Sequence, residues 1–187
     1  MRLNLGCGDR KIEGFHNVDS VALCAPDEVV DLESFPWPWA DNSVEEVMLN
    51  HVLEHLGQET EVYLSIIKEL YRVCKHDSMV HIRVPHPRHD NYLSDPTHVR
   101  PITLKGLSMF SAAKCRLWQE AGAANTPLAL YMNVDFELVY YENRLDPKWQ
   151  SLLDDGLPAD ELQMAMRTSY NVIEEVRATL VVQKKAA

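Results

Sequence analysis

What this chain lacks narrows it before any motif does. No apolar run approaches the roughly 20 residues of a membrane-spanning helix, and the N-terminus has neither the basic nor the apolar segment of a signal peptide. Cys7, Cys24, Cys74 and Cys115 show no C-x-x-C spacing, which argues against a zinc knuckle or a disulfide framework and leaves four reduced thiols. No Lys/Arg cluster offsets a formal charge of -10, so phosphate backbones are repelled and nucleic acid is a disfavoured partner. A dinucleotide fingerprint would need glycine where Lys11 stands, and the Gly-Lys-Ser/Thr of a P-loop is missing. What remains is a soluble cytoplasmic protein without a membrane partner. Its 187 residues, 46% hydrophobic, fit one domain, 1–187, with a sizeable core.

Short apolar runs alternate with helical patterns, the mark of an α/β sheet protein. Strands are predicted at 2–5, 16–19, 28–32, 44–50 and 79–85, with two late strands at 134–142 and 172–183. Between the fourth and fifth, residues 59–74 carry Val62, Ile66, Leu70 and Val73 on one face and predict an amphipathic crossover helix. Thr103 is the expected cap of a helix whose stripe is Leu104, Leu107, Phe110, Leu117 and Trp118, ended by Gly122. Two insertions are expected: a loop at 86–102, and a helical connection at 146–170 that restarts at Pro158. In the latter, Met164 and Met166 are expected to pack.

A first strand that runs into Gly6-Cys7-Gly8 is where a parallel sheet usually meets a nucleotide-like ligand. Only ten residues lie between Gly8 and Asp19, too few for a full crossover helix, so a loop or one short helical turn must make the connection. Asp19 ends the second strand, where an acid can accept from both hydroxyls of a ribose.

Leu3-Asn4-Leu5-Gly6-Cys7-Gly8, Asn17-Val18-Asp19, Asp31-Leu32, "PWPWADNSVEEV" and His51-Val52-Leu53-Glu54-His55-Leu56 occur in that order across residues 3–84. In this the chain resembles the S-adenosylmethionine-dependent methyltransferases with a Rossmann-like sheet, in particular small type-11-like members. The resemblance implies a doubly wound, mostly parallel sheet of seven strands whose last strand is antiparallel, in a three-layer α/β/α arrangement. It implies S-adenosyl-L-methionine as cofactor, with Gly6, Cys7 and Gly8 against its methionine part, Asp19 on the ribose, and Asp31 with the Leu32 backbone at the adenine. Asn50 and His51 would lie near the sulfonium. Asn4 departs from the pattern, since many relatives carry an acid there. Relatives often carry helices before the first strand as a cofactor cover. Here the cover is expected from 86–102, from 146–170 or from a neighbouring subunit, and a homodimer is expected.

Methyl transfer from a sulfonium is an in-line displacement governed by placement. A hydroxyl acceptor also needs a base, for which His51, His86 and His98 are the candidates; a His98 or His86 base oriented by Asp95 is weighed against a plain turn in "SDPTH" with solvated histidines. His51, Glu54 and His55 also spell H-x-x-E-H, the signature of inverted zinc peptidases, a minor alternative because the motif follows directly on a strand. His86, His89 and His98 lack a definite ligand spacing, and no metal ligand is assigned. Trp37 and Trp39 are expected to pack a rigid loop at the sheet edge. The expected function is therefore methyl transfer to a small molecule or glycan; the alternative is a catalytically inactive, cofactor-binding regulatory or structural subunit.

Overall fold

The computed structural model describes residues 1–184. Seven strands form one sheet: β1 (Arg2–Leu5), β2 (His16–Asp19), β3 (Glu28–Val29), β4 (Val44–Asn50), β5 (Cys74–Pro85), β6 (Phe136–Leu145) and β7 (Ile173–Val182). Their order is β3-β2-β1-β4-β5-β7-β6. Neighbours from β3 to β5 are parallel, and β7 runs antiparallel to both β5 and β6. This is the Rossmann-like sheet with an antiparallel last strand that the sequence predicts. Helices flank it: α1 (Thr60–Val73), α2 (Asp90–Leu93), α3 (Leu104–Ser108), α4 (Ala112–Glu120), α5 (Leu128–Met132), α6 (Pro147–Asp154) and α7 (Ala159–Thr168). No described helix is long and apolar enough to cross a membrane.

Several boundaries differ from expectation for local reasons. The third strand ends at Val29, and residues 31–34 turn instead, with the Asp31 side chain accepting from Glu33 N and Ser34 Oγ. The fifth strand starts at Cys74, directly on the end of α1. The single helix expected from Thr103 to Gly122 is broken, because Ser111 accepts from Lys114 N and caps a new helix. The break turns the stripe, so Leu117 is 55% exposed. In α7 only Ala165 is buried and Met164 faces solvent, contrary to the packing expected of it.

Strand alternation sorts the two faces of the sheet. Leu3, Val47, Val80 and Leu180 are register neighbours and fully or almost fully buried, in one core with Tyr63, Ile66, Leu70 and Val73 of α1. The opposite row, Asn17, Asn4, Met48, His81, Thr179 and Tyr140, is polar except at Met48. Beyond Asn4 it opens into a groove flanked by Glu46, Arg83 and Arg177.

The β1–β2 connection contains no helix. Its backbone groups are satisfied by Asn17 instead: Oδ1 accepts from Ile12 N and Asn4 Nδ2, while Nδ2 donates to the Ile12 and Phe15 carbonyls and to Asp27. Asn4 Nδ2 also donates to Arg10 O, so the residue that departs from the family pattern is a buried strut of this loop.

The "PWPW" segment is packed, as expected: Trp37 and Trp39 are buried with rings edge-on at 5.6 Å. Arg72 of α1 donates to the carbonyls of both and to Glu69, whose carboxylate accepts from Trp37 N. Trp37 Nε1 in turn donates to Leu32 O, which ties α1 to the loop after β3. Arg72 holds the Glu69 carboxyl below its ordinary pKa. A lowered pKa stabilises the fold above the unfolded value, and that stability is lost as pH falls through the folded value. Glu69→Gln is therefore expected to cost about 1.5–3 kcal/mol at pH 7. In urea unfolding the gap from wild type should close below about pH 4; a gap that stays constant with pH would contradict this role.

Candidate active site

Where β1 ends, the chain turns sharply through Gly6 at φ +62 and Gly8 at φ +48. The two glycines serve different ends. A Cβ on Gly6 would lie 2.5 Å from Val52 Cγ2, so Gly6 lets the turn seat under Val52; a Cβ on Gly8 would meet open space. Gly8 N donates to Asp19 Oδ2 at 2.8 Å and Val21 N to Asp19 Oδ1 at 2.9 Å. Asp19 is thus held at the end of β2 by donors on either side, with lone pairs left for further donors.

Gly6, Asp19, Ser20, Val30, Asp31, Leu32, His51, Val52, His55 and Leu56 line one cleft of about 240 Å³ at the carboxyl ends of β1, β2 and β4. That is smaller than the roughly 300–1,000 Å³ of well-enclosed ligand pockets, so one side stays open. Its walls combine apolar Val30, Leu32, Val52 and Leu56 with the carboxylates of Asp19 and Asp31. Neither 86–102 nor 146–170 contributes a lining residue.

Of the residues singled out from sequence, Gly6, Asp19, Asp31, Leu32 and His51 meet in this cleft, whereas Cys7, Gly8 and Asn50 do not line it. Burial raises the Cys7 thiol pKa, with the Asp19 charge adding to it. His51 adopts φ +55, a left-handed conformation uncommon for a residue with a side chain and a mark of functional sites. Its Nε2 is 2.9 Å from Glu175 Oε2 and its Nδ1 is 3.4 Å from Glu54 Oε1. The Glu54 carboxylate is the main influence raising the His51 pKa; burial opposes it and Glu175 adds to it.

The other two candidate bases stand apart from the cleft. His86 Nδ1 accepts from Arg88 N within a turn, and burial lowers its pKa. His98 lies behind the cleft wall, between the rings of His55 at 4.6 Å and Tyr92 at 5.2 Å. His89 is buried and caps α2 through Asn91 N. The H-x-x-E-H residues sit on a loop with one 3-10 turn, Leu53–His55, and α1 starts only at Thr60.

Sequence reasoning missed Ser20, Val30, Val52, Leu56 and, most consequentially, His55. The signal for His55 was its spacing from His51 and Glu54. The segment is pinned from both sides: Gly57 N donates to Glu33, while Gly57 O accepts from Arg100 Nε and Nη2.

No protein-family profile matches the chain, and no curated protein matches it in sequence. Solved structures do match. A SAM-dependent methyltransferase from Archaeoglobus fulgidus superposes with a TM-score of 0.60 at 16% identity, over 96% of this chain and 85% of that one. Phosphoethanolamine N-methyltransferase 2 of Haemonchus contortus, in complex with S-adenosyl-L-methionine, gives 0.54 at 16%, over 98% of this chain and 48% of that one. The cyclase SpnF gives 0.55 at 14%, over 98% and 75%. The likeness is one of fold, and that fold hosts more than one chemistry.

The two glycines make a test. Gly6→Ala is expected to destabilise by about 2–4 kcal/mol, from positive φ plus the clash with Val52. Gly8→Ala should cost only about 1–2 kcal/mol, from φ alone. Adding Val52→Ala should recover part of the Gly6→Ala loss in urea unfolding; equal costs at the two positions would contradict the packing role of Gly6.

Proposed function

We propose that the cleft binds S-adenosyl-L-methionine and that the protein transfers its methyl group to a small molecule or glycan in the cytoplasm. The observation that carries this reading is the convergence of Gly6, Asp19 and Asp31 on one cleft at the carboxyl ends of parallel strands, in a fold shared with methyltransferases. The donor set fits the group. Asp19 and Asp31 each accept two local donors and retain lone pairs for ribose hydroxyls and adenine-edge donors. Val30, Leu32 and Leu56 offer an apolar surface to a base, and His51 stands at the end of β4 beside the methionine side. When bound, the sulfonium supplies an activated methyl group; the chain's own part is to hold donor and acceptor in line and to keep water out. The charge of -10 favours an uncharged or cationic acceptor over nucleic acid.

Calorimetric titration of S-adenosylmethionine and S-adenosylhomocysteine tests this. Micromolar 1:1 binding is expected, weakened about 10- to 150-fold by Asp19→Asn, which removes the charge behind hydrogen bonds to the ribose. Absence of binding to folded wild type would sink the proposal. One observation supports the reading of a cofactor-binding subunit without turnover: His51, the one of the three sequence-predicted bases that lines the cleft, is engaged by two carboxylates. Binding without methyl transfer across an acceptor screen would favour that second reading.

A further inference from the structure

We propose that Glu54, His55 and His98 bind one divalent transition-metal ion, of the zinc or manganese kind, in the wall of the cleft. The inference stands on these side chains alone and does not depend on the methyl-transfer reading. One ligand atom from each of the three lies within 4.8 Å of the others. Tetrahedral ligands at about 2.0–2.2 Å from a zinc ion lie roughly 3.4 Å apart, so small rotamer adjustments would close the site.

Glu54 is the first reason to expect a cation there. Its side chain is 1% exposed, yet no described group donates a hydrogen bond to either carboxylate oxygen. Its one charged neighbour among the described residues is His51 Nδ1, 3.4 Å from Oε1 and shared with Glu175, so neither oxygen accepts a hydrogen bond. A buried carboxylate with both oxygens short of donors is costly and is eased by a cation closer at hand.

The second reason is the arrangement of the imidazole protons. His98 Nδ1 is 2.8 Å from Tyr92 O, and a carbonyl can only accept, so Nδ1 carries the hydrogen and Nε2 of the neutral ring keeps a lone pair. His55 Nδ1 is 2.9 Å from Thr97 Oγ1. That hydroxyl donates its own proton to Asp95 Oδ1 at 2.6 Å, so it accepts from His55, again leaving Nε2 free. The other Asp95 oxygen is 3.7 Å from His98 Nε2, beyond hydrogen-bonding distance. Metal-binding histidines have this support: the far ring nitrogen donates to a carbonyl or, through a relay, to a carboxylate.

Backbone bonds hold the three ligands together although they come from two loops. Glu54 O accepts from both Val99 N and Arg100 N, which fastens the segment carrying His98 to the residue that supplies the carboxylate. Two imidazoles and one carboxylate suit zinc, manganese, iron or cobalt better than calcium or magnesium, which prefer oxygen alone. His55 also lines the cleft, so the remaining coordination positions face it and can take an oxygen ligand. The sequence alone assigned no metal here, because His98 meets the H-x-x-E-H segment only in the folded chain.

The test is titration of chelator-stripped full-length protein with Co²⁺, Zn²⁺ and Mn²⁺, following visible absorption for Co²⁺ and the melting temperature for all three. One ion per chain is expected, with cobalt bands of nitrogen/oxygen ligation and a raised melting temperature. Glu54→Gln and His98→Ala should each weaken binding at least tenfold. Metal-free Glu54→Gln should still melt in one cooperative transition, which shows that the variant folds. Failure of wild type to bind one ion, or wild-type affinity in Glu54→Gln and His98→Ala, would overturn the proposal. S-adenosylmethionine titrated into metal-free protein reports the cofactor reading separately.

Discussion

The fold hangs on how a parallel crossover closes without a helix. Between Gly8 and Asp19 the chain is too short for one, and a polar loop against a sheet must find partners for its backbone. Asn17 supplies them from within β2, joining the loop to Asn4 on β1 and to Asp27 before β3. The same connection fixes the start of the cleft, since Gly8 at one end of the loop bonds Asp19 at the other. A hydrogen-bonded hub thus stands in place of a crossover helix, and the cleft's two aspartates are positioned by it and by the turn after β3.

From that edge the rest of the site follows by covalent adjacency and a few anchors. β4 delivers His51 in a strained left-handed conformation, and the next residues fold back as a 3-10 turn that buries Glu54 beneath the cleft. The loop after β5 is then drawn in by Glu54 O and by Arg100 on Gly57 O, with Arg100 over the Tyr63 ring at 4.3 Å. Charge is concentrated at this junction: His51 lies between Glu175 and Glu54, and the Glu54 carboxylate, which accepts no hydrogen bond, also neighbours His55 and His98.

Much of this was legible in the chain. The strands near the N-terminus alternate cleanly or run apolar up to a glycine or an acid, so β1, β2 and β4 appear with the predicted bounds. The seven-stranded, mostly parallel sheet and its antiparallel last strand followed from the family resemblance. Two of the misses share one cause: local side-chain hydrogen bonds overriding periodicity. Ser111 breaks an apparently continuous helical stripe, and the Asp31 turn ends a strand early. At the site, residue types next to the glycine turn were readable because short spacing keeps them together. The pairing of His98 with His55 was not, because it depends on backbone bonds from residues 99 and 100 to Glu54 that no periodicity encodes.

The central claim is that the ends of β1, β2 and β4 form a nucleoside-sulfonium cleft. A crystal structure of the protein grown with S-adenosylhomocysteine tests it most directly. The ribose hydroxyls should lie within about 3 Å of Asp19, with the adenine against Leu32 and Val30 and the sulfur toward His51. A ligand found instead in the groove between Arg83 and Arg177, or against the cleft with its ribose turned away from Asp19, would contradict it.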